Sequence, residues 1–170
     1  MPLLGSKGIR VNNIGKSGQI VENSVLSYNN NSNLQLEIDQ WQPILTVMSW
    51  GANDYLKHTP LATFKLAVQK LIKEAKKYGD VIIMPLCLES DNPAPYNSIT
   101  QADYANALKQ LAMSNDCYYI DIYDAWGGNI YYAYNKGFES PLGNVHPAAL
   151  GHQNIANYLI QALNMANSNK

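Results

Sequence analysis

Charge is scarce in this sequence. Only 15% of its 170 residues are Asp, Glu, Lys or Arg, and 12 basic against 13 acidic side chains leave a formal net charge of −1. Without a stripe of Lys and Arg, neither nucleic acid nor an anionic membrane surface is expected as a partner. Long hydrophobic runs are missing too. None approaches the roughly 18–20 residues that span a bilayer, and "MPLLGSKGIR" lacks the apolar core of a secretory signal. Cysteine occurs twice, Cys87 late in "VIIMPLCLES" and Cys117 early in "CYYIDIYDAW". If both runs are parallel strands, the thiols sit at opposite ends of the sheet, farther apart than the roughly 7 Å between Cα atoms that a disulfide allows. Both read as free thiols, which leaves the compartment unassigned. His, Asp and Glu never cluster at ligand spacing, so no metal and no cofactor are expected.

What is there suits one packed domain. Hydrophobic residues make up 46% of the chain, enough for a core and too many for a disordered segment. Residues 1–170 are read as a single domain without internal repeats. Asn and Tyr are frequent, above all in "SYNNNSN"; such polar-neutral, aromatic surfaces suit carbohydrate and an extracellular or virion setting.

Along the chain, "GIRVNNIG" reads as a short strand entering a Gly-rich bend, "SGQIVENSVLSY" as a helix, and "NNNSN" as a loop. "QPILTVMSW" is an apolar run of strand length ending at Gly51, as for a strand covered on both faces. Thr59 is the expected N-cap of the next helix, with Pro60 at its first position. Phe64, Ala67, Val68, Leu71, Ile72 and Ala75 keep its period and Gly79 closes it. "DVIIMPLCLES" is the next strand and "DNPAPYN" a loop. Thr100 and Asp103 form a capping box ahead of a helix carrying Tyr104, Leu108 and Leu111. "CYYIDIYDAW" reads as a strand and "HPAALGHQNIANYLIQALNMA" as a terminal helix with Ile155, Leu159 and Leu163 on its apolar stripe. Alternating strands and helices predict a parallel α/β sheet whose ligand sits beyond the carboxyl ends of the strands.

Three segments fall there. "NIGKSGQ" offers Gly15 and Gly18 in a bend where backbone N–H groups can face a ligand. "SWGANDY" sets Asn53 just after a strand, where a carboxamide can donate to an oxyanion, with Asp54 able to hold the loop. "GNVHPAALGH" sets His146 ahead of a helix N-terminus, whose partial positive charge favours a neutral ring able to accept a proton. Each also has an ordinary structural reading, as a turn, a cap or a packed histidine.

Taken in this order, the segments resemble the SGNH, or GDSL, hydrolases: serine esterases, lipases and carbohydrate deacetylases on a three-layer α/β/α flavodoxin-like sheet. "VNNIGKSGQ" is similar to the family's second block, "GAND" to its third and "VHPAALGHQNIA" to its fifth. The resemblance implies Gly18 as backbone oxyanion donor, Asn53 as side-chain donor and His146 as general base, acting on a small ester or acetylated carbohydrate. Two departures stand out. The opening G-D-S block is not present: Ser6 in "LLGSKG" is superficially similar, yet the residues between it and Val11 cannot hold a crossover, which needs roughly a dozen. Position 143, where the family carries an acid, is Gly, leaving a backbone carbonyl or Glu139 to orient the imidazole. The first central strand is thus missing or supplied otherwise, by a rearranged sheet, another subunit or an upstream segment. The alternative from another class is a non-catalytic carbohydrate- or receptor-binding module, as of a phage tail or surface protein, its cleft lined by Trp50, Tyr55 and Trp126.

Overall fold

Three apolar runs pair side by side. β1 (Leu45–Met48), β2 (Asp80–Ile83) and β3 (Tyr118–Tyr119) form a parallel sheet in the order β1-β2-β3, with Leu45 opposite Asp80 and Ile82 opposite Tyr118. The chain is described here from a computed structural model covering residues 10–25, 34–85, 98–140 and 146–168. The helices are α1 (Val21–Val25), α2 (Leu34–Trp41), α3 (Ala52–Leu56), α4 (Leu61–Ala75), α5 (Gln101–Ser114), α6 (Ile122–Ala125), α7 (Ile130–Asn135) and α8 (Ala149–Ser168).

Successive strand residues point to opposite faces, and β2 divides the interior accordingly. Val81 and Ile83 join the larger core, built from Val21, Ile38, Phe64, Val68, Leu71, Tyr104 and Leu108. Ile82 and Met84 join a second core with Ile120, Ile122 and Trp126, closed by Ile155, Tyr158 and Leu159 of α8. Helices therefore cover both faces, giving the three-layer α/β/α arrangement. α4 is the strongest element: its six predicted apolar positions are all buried, and full burial of each large side chain stabilises the fold by about 1.5–3 kcal/mol. The capping box of α5 forms as read, Asp103 Oδ2 accepting the Thr100 N–H at 2.7 Å.

Several elements differ from the sequence reading, each for a local reason. Residues 10–14 form no strand; Asn13 Oδ1 instead accepts the Gly15 N–H at 3.0 Å, a turn that competes with a ladder. β1 is consequently the sheet edge among the described residues, with Val47 44% exposed rather than covered on both faces. Residues 1–9, on which a further strand or a role for Ser6 would rest, lie outside the described residues. α4 starts one residue late, with Pro60 and not Thr59 at its N-cap: the first intrahelical bond, from the Phe64 N–H, is accepted by the Pro60 carbonyl at 2.9 Å. Gly79 serves close approach and not the helix end, which caps at Lys76: a Cβ on Gly79 would lie 2.1 Å from the Ile44 carbonyl oxygen. β3 stops after two residues because the Asp121 carboxylate accepts the Asp124 N–H at 3.0 Å and turns the chain into α6. On α8, Leu163 is exposed, and Tyr158 and Ala162 complete the stripe instead. Cys117 is a free, half-buried thiol, while Cys87 and the Pro-rich loop lie outside the described residues.

Candidate active site at the carboxyl rim of the sheet

β1 ends at Met48, whose carbonyl takes the last ladder bond from the Met84 N–H at 2.9 Å. Gly51, at φ 111°, then turns the chain into α3, a backbone state that side chains with a Cβ rarely adopt. The first turn of α3 carries Asn53, half-buried, and Asp54, fully buried. Two long-range contacts fasten this helix to the glycine bend. Asp54 Oδ1 accepts the Val21 N–H at 3.1 Å, at the head of α1. Lys57 Nζ donates to the carbonyl of Gly18, whose φ of 68° again suits glycine. Gly18 and Asn53 thereby stand on neighbouring segments although 35 residues separate them in sequence. Asn53, Gly15, Gln19, Ser49 and Trp50 line one cavity of about 420 Å³.

Burial pushes the Asp54 carboxyl up to about 6, against the lowering effect of the hydrogen bonds it accepts. Its value to the site is the tether, since it sits wholly beneath the surface.

His146 is exposed and stands three residues before α8. Its backbone belongs to a short antiparallel ladder: Ser140 N–H donates to the His146 carbonyl at 3.1 Å and Ala148 N–H to the Phe138 carbonyl at 2.8 Å, flanking a Glu139–Pro147 pair. Gly151 presses the first turn of α8 onto this ladder, with room for no side chain; a Cβ would meet the Phe138 carbonyl oxygen at 2.0 Å. Trp126 Nε1 donates to Asn154 Oδ1 at 2.9 Å, joining α8 to the end of α6. Asn53 follows the carboxyl end of β1, and His146 lies in the segment leading into α8, whose apolar stripe packs beside Ile120, Ile122 and Trp126 after β3.

Glu139 does not orient the imidazole. It is 4% exposed, neither carboxylate oxygen has a hydrogen-bond partner among the described residues, and alternation along the ladder sets its side chain on the face opposite His146. Burial pushes its carboxyl up to about 7. Position 143 lies outside the described residues. The aromatic cleft expected for a binding module is not assembled either: Trp126 is 0% and Tyr55 4% exposed, both in the cores, leaving Trp50 alone in the cavity wall. Two residues of the bend region escaped the sequence reading. Ser49 is an exposed hydroxyl in the cavity wall, recognisable only as the residue after an apolar run; Lys57 carries no sequence signal for its contact with Gly18. Among the described residues no group of three or more His, Cys, Asp or Glu could hold a metal ion, and no helix is long and apolar enough to cross a membrane.

A family model described as the GDSL-like lipase/acylhydrolase family matches residues 3–153. No curated protein matches the chain. Among solved structures, a lipase/acylhydrolase from Enterococcus faecalis superposes with a TM-score of 0.69 at 19% identity, over 86% of this chain and 71% of that one. A catalytic mutant of an acetylxylan esterase from Geobacillus stearothermophilus gives 0.66 at 20% identity, over 91% and 72%. A peptidoglycan O-acetylesterase gives 0.65 at 15% identity, over 82% of this chain and 42% of that one. At these identities the likeness is one of fold.

Proposed function

Because the chain belongs to the GDSL-like lipase/acylhydrolase family, we propose that it is an ester hydrolase that removes small acyl groups, acetyl first among them, from carbohydrate hydroxyls. In this reading a hydroxyl attacks the acyl carbon while the His146 imidazole takes its proton. The carbonyl oxygen becomes an oxyanion, held by the Gly18 N–H and the Asn53 carboxamide. Collapse of the adduct expels the sugar alkoxide, which recovers the proton from His146. Hydrolysis of the acyl-enzyme repeats the sequence with water. The exposed serine hydroxyl lining the cavity is that of Ser49.

The single observation that carries the reading is the double tether, Asp54 to Val21 and Lys57 to Gly18, which holds the Gly18 bend beside the helix whose Asn53 lines the cavity. Two independent donors in such a site each contribute roughly 3–4 kcal/mol to the transition state where they have been removed singly. Support for the acetyl-sugar class comes from the acetylxylan and peptidoglycan esterases among the structures of similar fold and from the carboxamides of Asn12, Asn13, Gln19 and Asn53 in a largely apolar cavity wall. The test is hydrolysis of p-nitrophenyl acetate and of an acetylated xylo-oligosaccharide by the intact chain and by His146→Ala. A loss of about 10²–10⁴-fold is expected from removing a general base; equal rates for the two proteins would overturn the proposal. Ser49→Ala, measured alongside, separates attack by that hydroxyl from direct attack by water.

A further inference from the structure

Glu139 is a buried acid that the esterase steps leave unused. Phe138, its neighbour in the chain, stacks on Trp126 with ring centroids 5.3 Å apart and meets α8 at Gly151 through its carbonyl, which holds the segment in place. Both Glu139 carboxylate oxygens are buried without a partner among the described residues. A neutral carboxylic acid is tolerated in such a place; an ionised one is not, because nothing replaces its hydration. The residue across from it is Pro147, next to His146, and the flanking bonds are the two that fix the His146 backbone.

We propose that Glu139 is a positioning residue for His146: as a neutral acid it lets the 138–140 and 146–148 segments close into their ladder, and on ionising it draws water in and frees the His146 backbone from it. The burial-raised value of about 7 puts this release in the neutral range. The titratable and charged groups on the neighbouring segments include Asp121 and Asp124 at the head of α6, Lys136 after α7, His146 beside Pro147 and His152 in the first turn of α8, the last four exposed to solvent, and burial alone raises the Glu139 carboxyl. The inference rests on the esterase reading only for its consequence in catalysis; the ladder itself is a separate observable.

The experiment follows amide hydrogen exchange of Ser140 and Ala148 between pH 5.5 and 8.5, corrected for intrinsic exchange, in the unmodified chain, Glu139→Gln and Glu139→Met. Protection of both amides is expected to fall at least tenfold across this range in the unmodified chain and to stay level in whichever neutral variant folds. The rate of p-nitrophenyl acetate hydrolysis, read in parallel, should lose its alkaline decline in the same variant, with KM little changed. An identical protection curve in the unmodified chain and a folded neutral variant overturns the proposal, as does failure of both variants to fold, which would show that the carboxyl makes contacts a neutral side chain cannot replace. Absence of hydrolysis in every protein, with a Glu139-dependent loss of protection, removes the esterase reading and leaves the ladder inference standing.

Discussion

Asp54 offers a substitution whose sign runs against intuition. It is 0% exposed, accepts the Val21 N–H at 3.1 Å, and has its carboxyl pushed from 3.8 to about 6 by burial. A carboxyl whose folded value is raised holds its proton more tightly in the native state, so the stability it contributes is complete below about pH 3.8 and is lost as pH rises through about 6. A shift of about two units corresponds to about 3 kcal/mol given up by neutral pH. Asparagine keeps an acceptor oxygen for Val21 and has no charge to desolvate. Asp54→Asn is therefore expected to match the unmodified chain below pH 4 and to exceed its stability at pH 7.5 by as much as about 3 kcal/mol. Asp54→Ala, which orphans the Val21 N–H, should fall below Asp54→Asn by about 1–3 kcal/mol at every pH. Urea unfolding of the three proteins at pH 4, 5, 6 and 7.5 reads all of this, and taking the difference between proteins removes the separate contribution of Glu139. An Asp54→Asn protein less stable than its parent at pH 7.5, or a difference that does not grow with pH, refutes the reasoning. The tether should also appear in activity, preserved in Asn and reduced in Ala.

Other substitutions probe the supports of the rim. Gly151→Ala places a methyl 2.0 Å from the Phe138 carbonyl oxygen, so α8 must shift off the ladder; a loss of about 1–3 kcal/mol in thermal or urea unfolding is expected, with esterase rate falling alongside. Thr100→Ala removes one half of the α5 capping box and should cost about 1 kcal/mol, leaving the rate per folded molecule unchanged because the box lines neither the cavity nor the His146 ladder.

How much of this was legible beforehand depended on whether a signal was local. α4 could be read because six apolar residues keep the helical period without interruption, and the α5 start because Thr100 and Asp103 bond to each other across one turn. α2 carries no such signal: in "LQLEIDQW" the apolar residues recur at both two- and four-residue intervals, and only burial of Leu34 and Ile38 against the core decides for a helix. The strand expected over "CYYIDIYDAW" failed at Asp121, a residue whose short-range capping bond outcompetes the ladder. Trp126 and Tyr55 were assigned to a cleft because an aromatic ring with a polar edge suits either a surface or an interior. Gly18, Asn53 and His146 are candidates through their neighbours in sequence alone, whereas the tethers from Asp54 and Lys57 join residues more than thirty positions apart. No pattern along the chain encodes such a pairing.

The central claim is that His146 and Asn53 act on one reacting carbonyl. It is tested most directly by a double-mutant cycle on kcat/KM for p-nitrophenyl acetate, comparing His146→Ala, Asn53→Ala and the pair. Both single variants are expected to lose kcat with KM little changed, and the pair to be slower than either, because an oxyanion donor still acts when the base is gone. Rates untouched by either substitution, or losses confined to KM, would contradict it.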